Sequence, residues 1–373
     1  MDDFAAHVRA ALAERGISLR GAARVLNYDV SYLSRVVNGK QLPSPRLAEA
    51  LDQLLGGEGS LASLVTAKEP SEHPGGACSD IAYMKASATH LLQHAERYGG
   101  DTVAPAAVQV WQAAQGKLEA GSIPEKDRTG FLAAAAESAE VAGWLLFDAA
   151  QWDAARTAFL ESHMLARHAG DRSMQWFALD MLAMLDIERG RPGEALRIAD
   201  ELLGRRRVPP RIALLAEVRR GRALAQTGDR HRTLTALDAA RGRVEESLSP
   251  RDPGWTWWVD DNEVRWHRGA ALLDLGAADQ ATSTIQNAIE HVTIPDGRGA
   301  LHLRIGLLSA FKDEKAWREA EAELESIASL LRVVGSGRNR SILRKVLRTI
   351  EREPQVPTWL SILAKDTAAT LAA

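Results

Sequence analysis

Apolar residues recur at helical spacing along most of the chain, and no run alternates for long enough to suggest a strand. Near the N-terminus, residues 18–26 (SLRGAARVL) and 31–37 (SYLSRVV) predict two short helices joined by a turn. Val25, Leu26, Val30, Leu33 and Val36 supply their apolar faces, with Val30, Leu33 and Val36 expected in the core. Ala22 and Ala23 are small enough for close helix approach. Ser18 and Ser31 are N-cap candidates, because a serine oxygen accepts a free amide of the first turn. Asn27 opens the turn, Asn38-Gly39 ends the second helix, and Pro43 prevents immediate re-entry. A covering helix is predicted over residues 44–55 and another, beneath the pair, over residues 2–15.

The periodicity breaks once, at residues 67–79 (AKEPSEHPGGACS), where prolines, glycines and scattered charge replace it. This predicts three segments: a domain over residues 1–66, a linker over 67–79, and a helical remainder over 80–373. The remainder repeats. A small residue is followed by another twelve positions on in Gly143/Ala155, Ala183/Ala195, Gly221/Thr233 and Gly269/Ala281. A fifth pair, Gly306/Ala320, is two residues longer. Turns are predicted between the members at Ala150-Gln151, Gly190-Arg191, Gly228-Asp229, Gly276-Ala277 and Lys312-Asp313. Such pairs describe helical hairpins, recurring at intervals of 40, 38, 48 and 37 residues. The long interval holds SLSPRDPGWTWW, an inserted loop in which Asp252-Pro253 reads as a cap and first helical residue. Residues 80–98 and 102–120 predict one further hairpin at the start. At the end, Ser341 reads as the cap of a terminal helix. Its polar face (Arg340, Arg344, Lys345, Arg348, Arg352) reads as solvated, with supplementary phosphate contact as the sharper alternative.

Composition adds compartment. Cys78 is the single cysteine, so no disulfide framework exists, and no run of about 18 apolar residues is found, so no membrane span is expected. The N-terminus is acidic and then amphipathic, unlike a signal peptide, and a cytoplasmic protein is expected. Net charge is −3, which does not advertise nucleic acid. Residues 1–55 hold seven basic against six acidic side chains, whereas residues 9–46 hold the same seven against Glu14 and Asp29. Nucleic-acid binding therefore rests on the motif more than on the charge.

Placed as a DNA-binding helix-turn-helix, the second helix enters the major groove with its N-terminal residues nearest the bases. Asp29, Ser31, Tyr32 and Arg35 then project forward. Arg35 suits bidentate hydrogen bonding to guanine, and Ser31 and Tyr32 suit bases or phosphates. Arg20, Arg24 and Lys40 are phosphate candidates that fix register. The segments SLRGAARVLN, VSYLSRVVNGK and LPSPRLAEALDQLL resemble the lambda-repressor-like, XRE-type regulators over about residues 4–55. That resemblance adds Ser34 and Asn38-Gly39 to the DNA-facing set. The chain departs from the family at Leu19-Arg20, where a glutamine often binds phosphate.

The hairpins, with fragments such as AQWDAARTAF and GRPGEALRIA, resemble tetratricopeptide repeats at a longer spacing. The expected fold is therefore all-α: an N-terminal helix-turn-helix domain followed by a tetratricopeptide-like helical-hairpin solenoid. The layout is similar to large actinobacterial regulators and to the peptide-responsive quorum-sensing (RRNPP) regulators. It implies a homodimer on a double-stranded DNA operator, with a small molecule or peptide in the concave groove of the repeats. Projection along the first helices nominates Glu140, Trp144, Asp180, Arg222, Asn262 and Trp266 as groove residues. Trp258, with Trp255 and Trp257, joins them as a possible clasp for an apolar side chain, although tryptophans at helical spacing more often pack between hairpins.

Motifs of catalysis are not found: no GxxxxGK[ST], GxSxG or HExxH is present, and the glycine-rich stretch at Gly335 follows no strand. His90 and His94 stand one helical turn apart without an evident third ligand. No enzyme, cofactor or metal is expected, and the competing reading is a protein-interaction scaffold with weak or absent DNA contact.

Overall fold

A computed structural model describes residues 2–26, 30–38, 45–56, 76–244 and 252–371. The chain divides into two compact units, 1–75 and 76–373, and is all-helical among the described residues: an N-terminal helix-turn-helix domain followed by an array of helical hairpins.

The first unit holds α1 (Asp2–Glu14), α2 (Leu19–Leu26), α3 (Val30–Val37) and α4 (Pro45–Leu55). α1 stops where Gly16 takes a positive φ, a conformation cheap only for glycine. Ser18 then caps α2, its Oγ accepting the amide of Gly21 at 3.1 Å. α3 begins at Val30, one residue earlier than expected, which puts Ser31 inside the helix and not at its cap. Phe4, Val8, Leu12, Ala22, Ala23, Leu33, Val36, Leu47 and Leu51 form one core. Val25 and Val30 do not join it: they are 68% and 39% exposed. Helical periodicity assigned them inward, but Val25 lies in the last turn of α2 and Val30 is the first residue of α3, and periodicity marks a face without showing that it is covered.

The second unit opens with α5 (Ala77–Tyr98), which starts inside the segment read as linker, and α6 (Ala104–Glu119). The next hairpins are α7–α8 (Glu125–Asp148, Trp152–His168), α9–α10 (Arg172–Glu188, Pro192–Gly204) and α11–α12 (Pro210–Gln226, Arg230–Gly242). A 3-10 helix (Gly254–Trp258) precedes α13–α14 (Asp261–Asp274, Ala278–Glu290), α15–α16 (Arg298–Glu314, Trp317–Leu330) and α17–α18 (Gly337–Arg352, Thr358–Thr370). Pro253 lies at the N-cap of the 3-10 helix, one position before its first residue. α17 is not terminal. α18 packs against it, and Ser336, not Ser341, is its cap, accepting the amide of Asn339.

The pairs of small residues are where the hairpins meet. All of Ala155, Ala195, Thr233, Ala281 and Ala320 have no exposed surface. The tight fit is four residues further on: a Cβ on Gly143, Gly221 or Gly269 would stand 2.6, 2.7 or 2.5 Å from Phe159, Leu237 or Ile285. Where the first member is already alanine, Ala183, the residue sixteen positions later is Ala199, also buried. Each hairpin turn carries one left-handed residue: Ala150, Gly190, Gly228, Gly276 and Lys315. The fifth turn comes three residues later than expected, because α15 continues through Lys312-Asp313 to Glu314.

α7 alone among the described helices is long and apolar enough to cross a membrane by length and composition. It is the central helix of the array, packed by α5, α6, α8 and α9, and 72% of its most apolar stretch is buried, as for a core helix.

The array returns on itself. α15 packs on α5 and α17 on α7. The glycine-rich stretch at Gly335 makes this closure: Gly335 N–H donates to Tyr98 O (2.7 Å), Asp101 N–H to Gly335 O (3.1 Å), and Gly337 N–H to Asp101 Oδ1 (2.7 Å). A side chain on Gly99 would overlap the carbonyl of Gly335, and one on Gly337 that of Ala149. Arg340 pairs with Asp101 (2.6 Å) and Arg344 donates to Leu371 O (2.6 Å), so this half of the basic face is engaged inside the protein. Lys345, Arg348 and Arg352 are exposed.

Candidate functional sites

In the first unit, α3 is tied at its C-terminal end. Arg9 of α1 donates to Val37 O at 3.0 Å, and Asn38 Nδ2 donates to Ser34 O and Oγ at 2.8 and 3.3 Å. Ser34 and Asn38, both nominated to face DNA, are thus turned toward each other at this end. The first turns of α2 and α3, as described, contain no acidic residue, and Asp29 directly precedes α3 outside the described residues. An acid-free first turn suits an anionic backbone. Arg24, on α2, is exposed. Ser31, Tyr32 and Arg35 fall on α3 and Arg20 on α2, with side chains outside the description; Asp29 and Lys40 lie outside the described residues.

Residues 3–64 match the family model of a helix-turn-helix domain. No curated protein matches the chain. The match supports a DNA-binding regulator at the general level. It covers the first unit's helices and none of the hairpin array.

The second unit holds a buried ionic network where the first helices of successive hairpins face one another. Arg219 (α11) makes a two-pronged pair with Asp180 (α9), Nε to Oδ1 at 3.0 Å and Nη2 to Oδ2 at 2.9 Å, and both side chains are 1% exposed. Nη1 of Arg219 lies 2.6 Å from His267 Nε2, which is 2.9 Å from Glu263 Oε1. Nε2 of His267 thus stands between a guanidinium, which only donates, and the Glu263 carboxylate, while Nδ1 is enclosed without a partner. Burial holds His267 down at about 4, against the pull of Glu263 and with the help of Arg219. Arg338 (α17) donates to Glu188 through Nε and Nη2, at 3.2 and 3.1 Å, and lies over the Phe147 ring. Its Nη2 also meets His302 Nε2 at 3.2 Å, while His302 Nδ1 donates to Asn339 Oδ1 at 2.8 Å. Burial, then Arg338, keeps His302 neutral by lowering its pKa.

The nominated groove residues distribute through this interior unevenly. Glu140 and Trp144 stand one turn apart on α7, and Asp180 acts on Glu140 from α9. Trp144 carries Arg298 over its ring, 4.8 Å from the centroid. Trp266 packs edge-on to His302. Asn262 is half-buried, its Oδ1 enclosed without a donor. Arg222 is engaged with Asp274 of α13 at 2.6 Å, and the arginine of α11 that turns inward is Arg219. Trp258 lies in a different cluster from Trp266, with Trp255 and Phe177. Phe177 stacks on Trp255 at 4.1 Å and 7°, and Trp255 Nε1 donates to Ser173 Oγ at 3.0 Å. The aromatic segment thus folds back onto α9.

Arg219, Glu188, Glu263, His267, His302 and Arg338 escaped the sequence reading. The signal for two of them was there: Glu263 and His267 are one turn apart on the helix that carries Trp266. Among the described residues no group of three or more side chains is placed to hold a metal ion. His94 contacts Thr102 Oγ1 at 3.3 Å and packs against Tyr98.

Proposed function

We propose that the protein is a sequence-specific DNA-binding transcriptional regulator of the XRE type. It acts in the cytoplasm as a homodimer, its operator affinity modulated by a small molecule or peptide held in a tetratricopeptide-like array. The observation that carries this reading is α3, anchored at its C-terminal end inside a matched helix-turn-helix domain. Arg35 reads a base edge, Arg20, Arg24 and Lys40 fix the backbone, and half-sites lie about one DNA turn apart. The charged interior of the array supports a sensing role, since its residues come from five successive hairpins and report any change in array curvature.

The test is selection from sheared genomic DNA by the full-length protein over a range of salt. A shared motif with two-fold symmetry, retained with a steep negative dependence on salt, is expected. Arg35→Ala should lose preference at one operator position, a discrimination of about 1–3 kcal/mol. Retention without a common motif, or insensitive to salt, overturns the reading and leaves a protein-interaction scaffold in its place.

A further inference from the structure

Among the described residues, the buried acids of the array each have a basic side chain beside them, with one exception. Asp180 has Arg219, Asp186 has Arg156, Glu188 has Arg338, Glu323 has Arg304, and Asp148 lies near Arg298 while accepting Gly100 N–H and Ser336 Oγ–H. Glu140 is only 3% exposed, yet its Oε1 meets no donor. The charged groups that act on it are themselves acids, Glu137 one turn back on α7 and Asp180 across on α9. Lys85 of α5 and Asp171 act on Glu137. An isolated carboxyl among carboxylates, where the other described buried acids each have an arginine, marks the place of a missing positive charge.

Aromatic surface stands on the same elements. Trp144 follows Glu140 by one turn, and its ring already accepts a cation on its face, that of Arg298. Phe177, one turn before Asp180, packs on the core around α7 and stacks on Trp255. Carboxylate plus aromatic faces is the chemistry that holds an organic cation. Oε1 needs an N–H donor, which a quaternary ammonium lacks.

We propose that Glu140 anchors a site for a primary ammonium group on a molecule with an apolar body, bounded by α7, α9 and the 254–258 helix. The proposal rests on the reading of the array as the ligand-sensing unit. Binding displaces the carboxyl proton: Glu140 is pushed up to about 8, chiefly by burial and then by Glu137 and Asp180, so near neutral pH it is mostly protonated and must ionise to pair.

The experiment is calorimetry and thermal melting of the full-length protein with phenethylammonium chloride, and with tetramethylammonium chloride at equal ionic strength. Saturable binding of phenethylammonium alone is expected. It should release close to one proton at pH 7, seen as heat that varies with the ionisation enthalpy of the buffer. It should also tighten about fivefold from pH 7 to pH 8 as Glu140 ionises. Glu140→Gln should abolish it. No saturable binding, equal binding of tetramethylammonium, or binding without proton release overturns the proposal. The proton release is read on the unaltered chain, so the outcome stands even if Glu140→Gln fails to fold. No DNA is present, so failure of operator selection and failure of this site are separate results.

Discussion

Single residues in this chain carry strain and charge that substitution exposes. Ala150 holds the left-handed conformation at the turn where Gly190, Gly228 and Gly276 hold it in matching hairpins. An L side chain there brings Cβ against its own backbone, at a cost of about 1–2 kcal/mol. Ala150→Gly should remove most of that, less the entropy a glycine adds to the unfolded chain, and should raise the melting temperature by about 1–2 °C. An unchanged or lower melting temperature would show the strain relieved elsewhere. His267 makes the opposite kind of case. Its pKa is lowered from 6.5 to about 4, by burial first, with Glu263 opposing and Arg219 and Arg222 reinforcing. The unfolded chain therefore binds a proton that the folded chain refuses. Its contribution is complete above pH 6.5 and is lost progressively as the pH falls toward 4, up to about 3 kcal/mol. Urea midpoints measured from pH 7 to pH 4.5 should fall with acid, and His267→Gln should flatten that limb. A limb of equal slope in the variant would assign the acid sensitivity to other groups.

Elements depend on how paired helices share space. Three glycines of the first helices are filled by a large side chain of the second, Gly143 by Phe159, Gly221 by Leu237 and Gly269 by Ile285, whereas Gly306 is met by Trp266 of the preceding hairpin. Gly221→Ala should therefore overpack α11 against α12 and cost about 1–3 kcal/mol in chemical denaturation, despite alanine's better helix propensity. Leu237→Ala in the same chain should recover part of the loss, because it recreates the Ala183 and Ala199 combination of the preceding hairpin. A double variant as unstable as the sum of the singles would mean the two positions do not share one contact. This level was the most legible in the sequence. Small residues twelve apart announced the hairpins, and Ser18 and Asn38 announced the limits of α2 and α3, because local rules govern them. What faced the glycines was not legible, since any bulky residue of the second helix satisfies the pattern. The interior network was half legible. Projection along the first helices nominated Glu140 and Asp180, but Arg219 was passed over for Arg222, three positions later. Which of two arginines turns inward depends on helix rotation, set by neighbours far apart in the chain. Val25 and Val30 misled for a related reason: apolar periodicity marks a face, and only packing decides whether that face is covered.

At the scale of the whole array, the closure is held by different forces from the repeats. Consecutive hairpins share apolar clusters, and the cluster of α7 to α9 and that of α13 to α18 are separate. Where α5 and α7 meet α15 and α17, the contacts include backbone and carboxylate hydrogen bonds, with Arg298 over the Trp144 ring and Arg338 over the Phe147 ring. Asp148 is the centre of that seam. Its carboxylate accepts Gly100 N–H at 2.8 Å and Ser336 Oγ–H at 3.0 Å, with Arg298 3.8 Å away, and it is wholly buried. Asp148→Ala would leave these donors enclosed without an acceptor, a cost of about 2–4 kcal/mol. Because no apolar cluster spans the seam, that loss should fall on it first. Native-state hydrogen exchange should then accelerate at residues 99–101 and 335–340, while the amides of α9 to α12 keep their protection. Acceleration spread evenly over the array would mean that the closure and the repeats melt as one cooperative body. Local acceleration would establish the seam as the point where the array opens first.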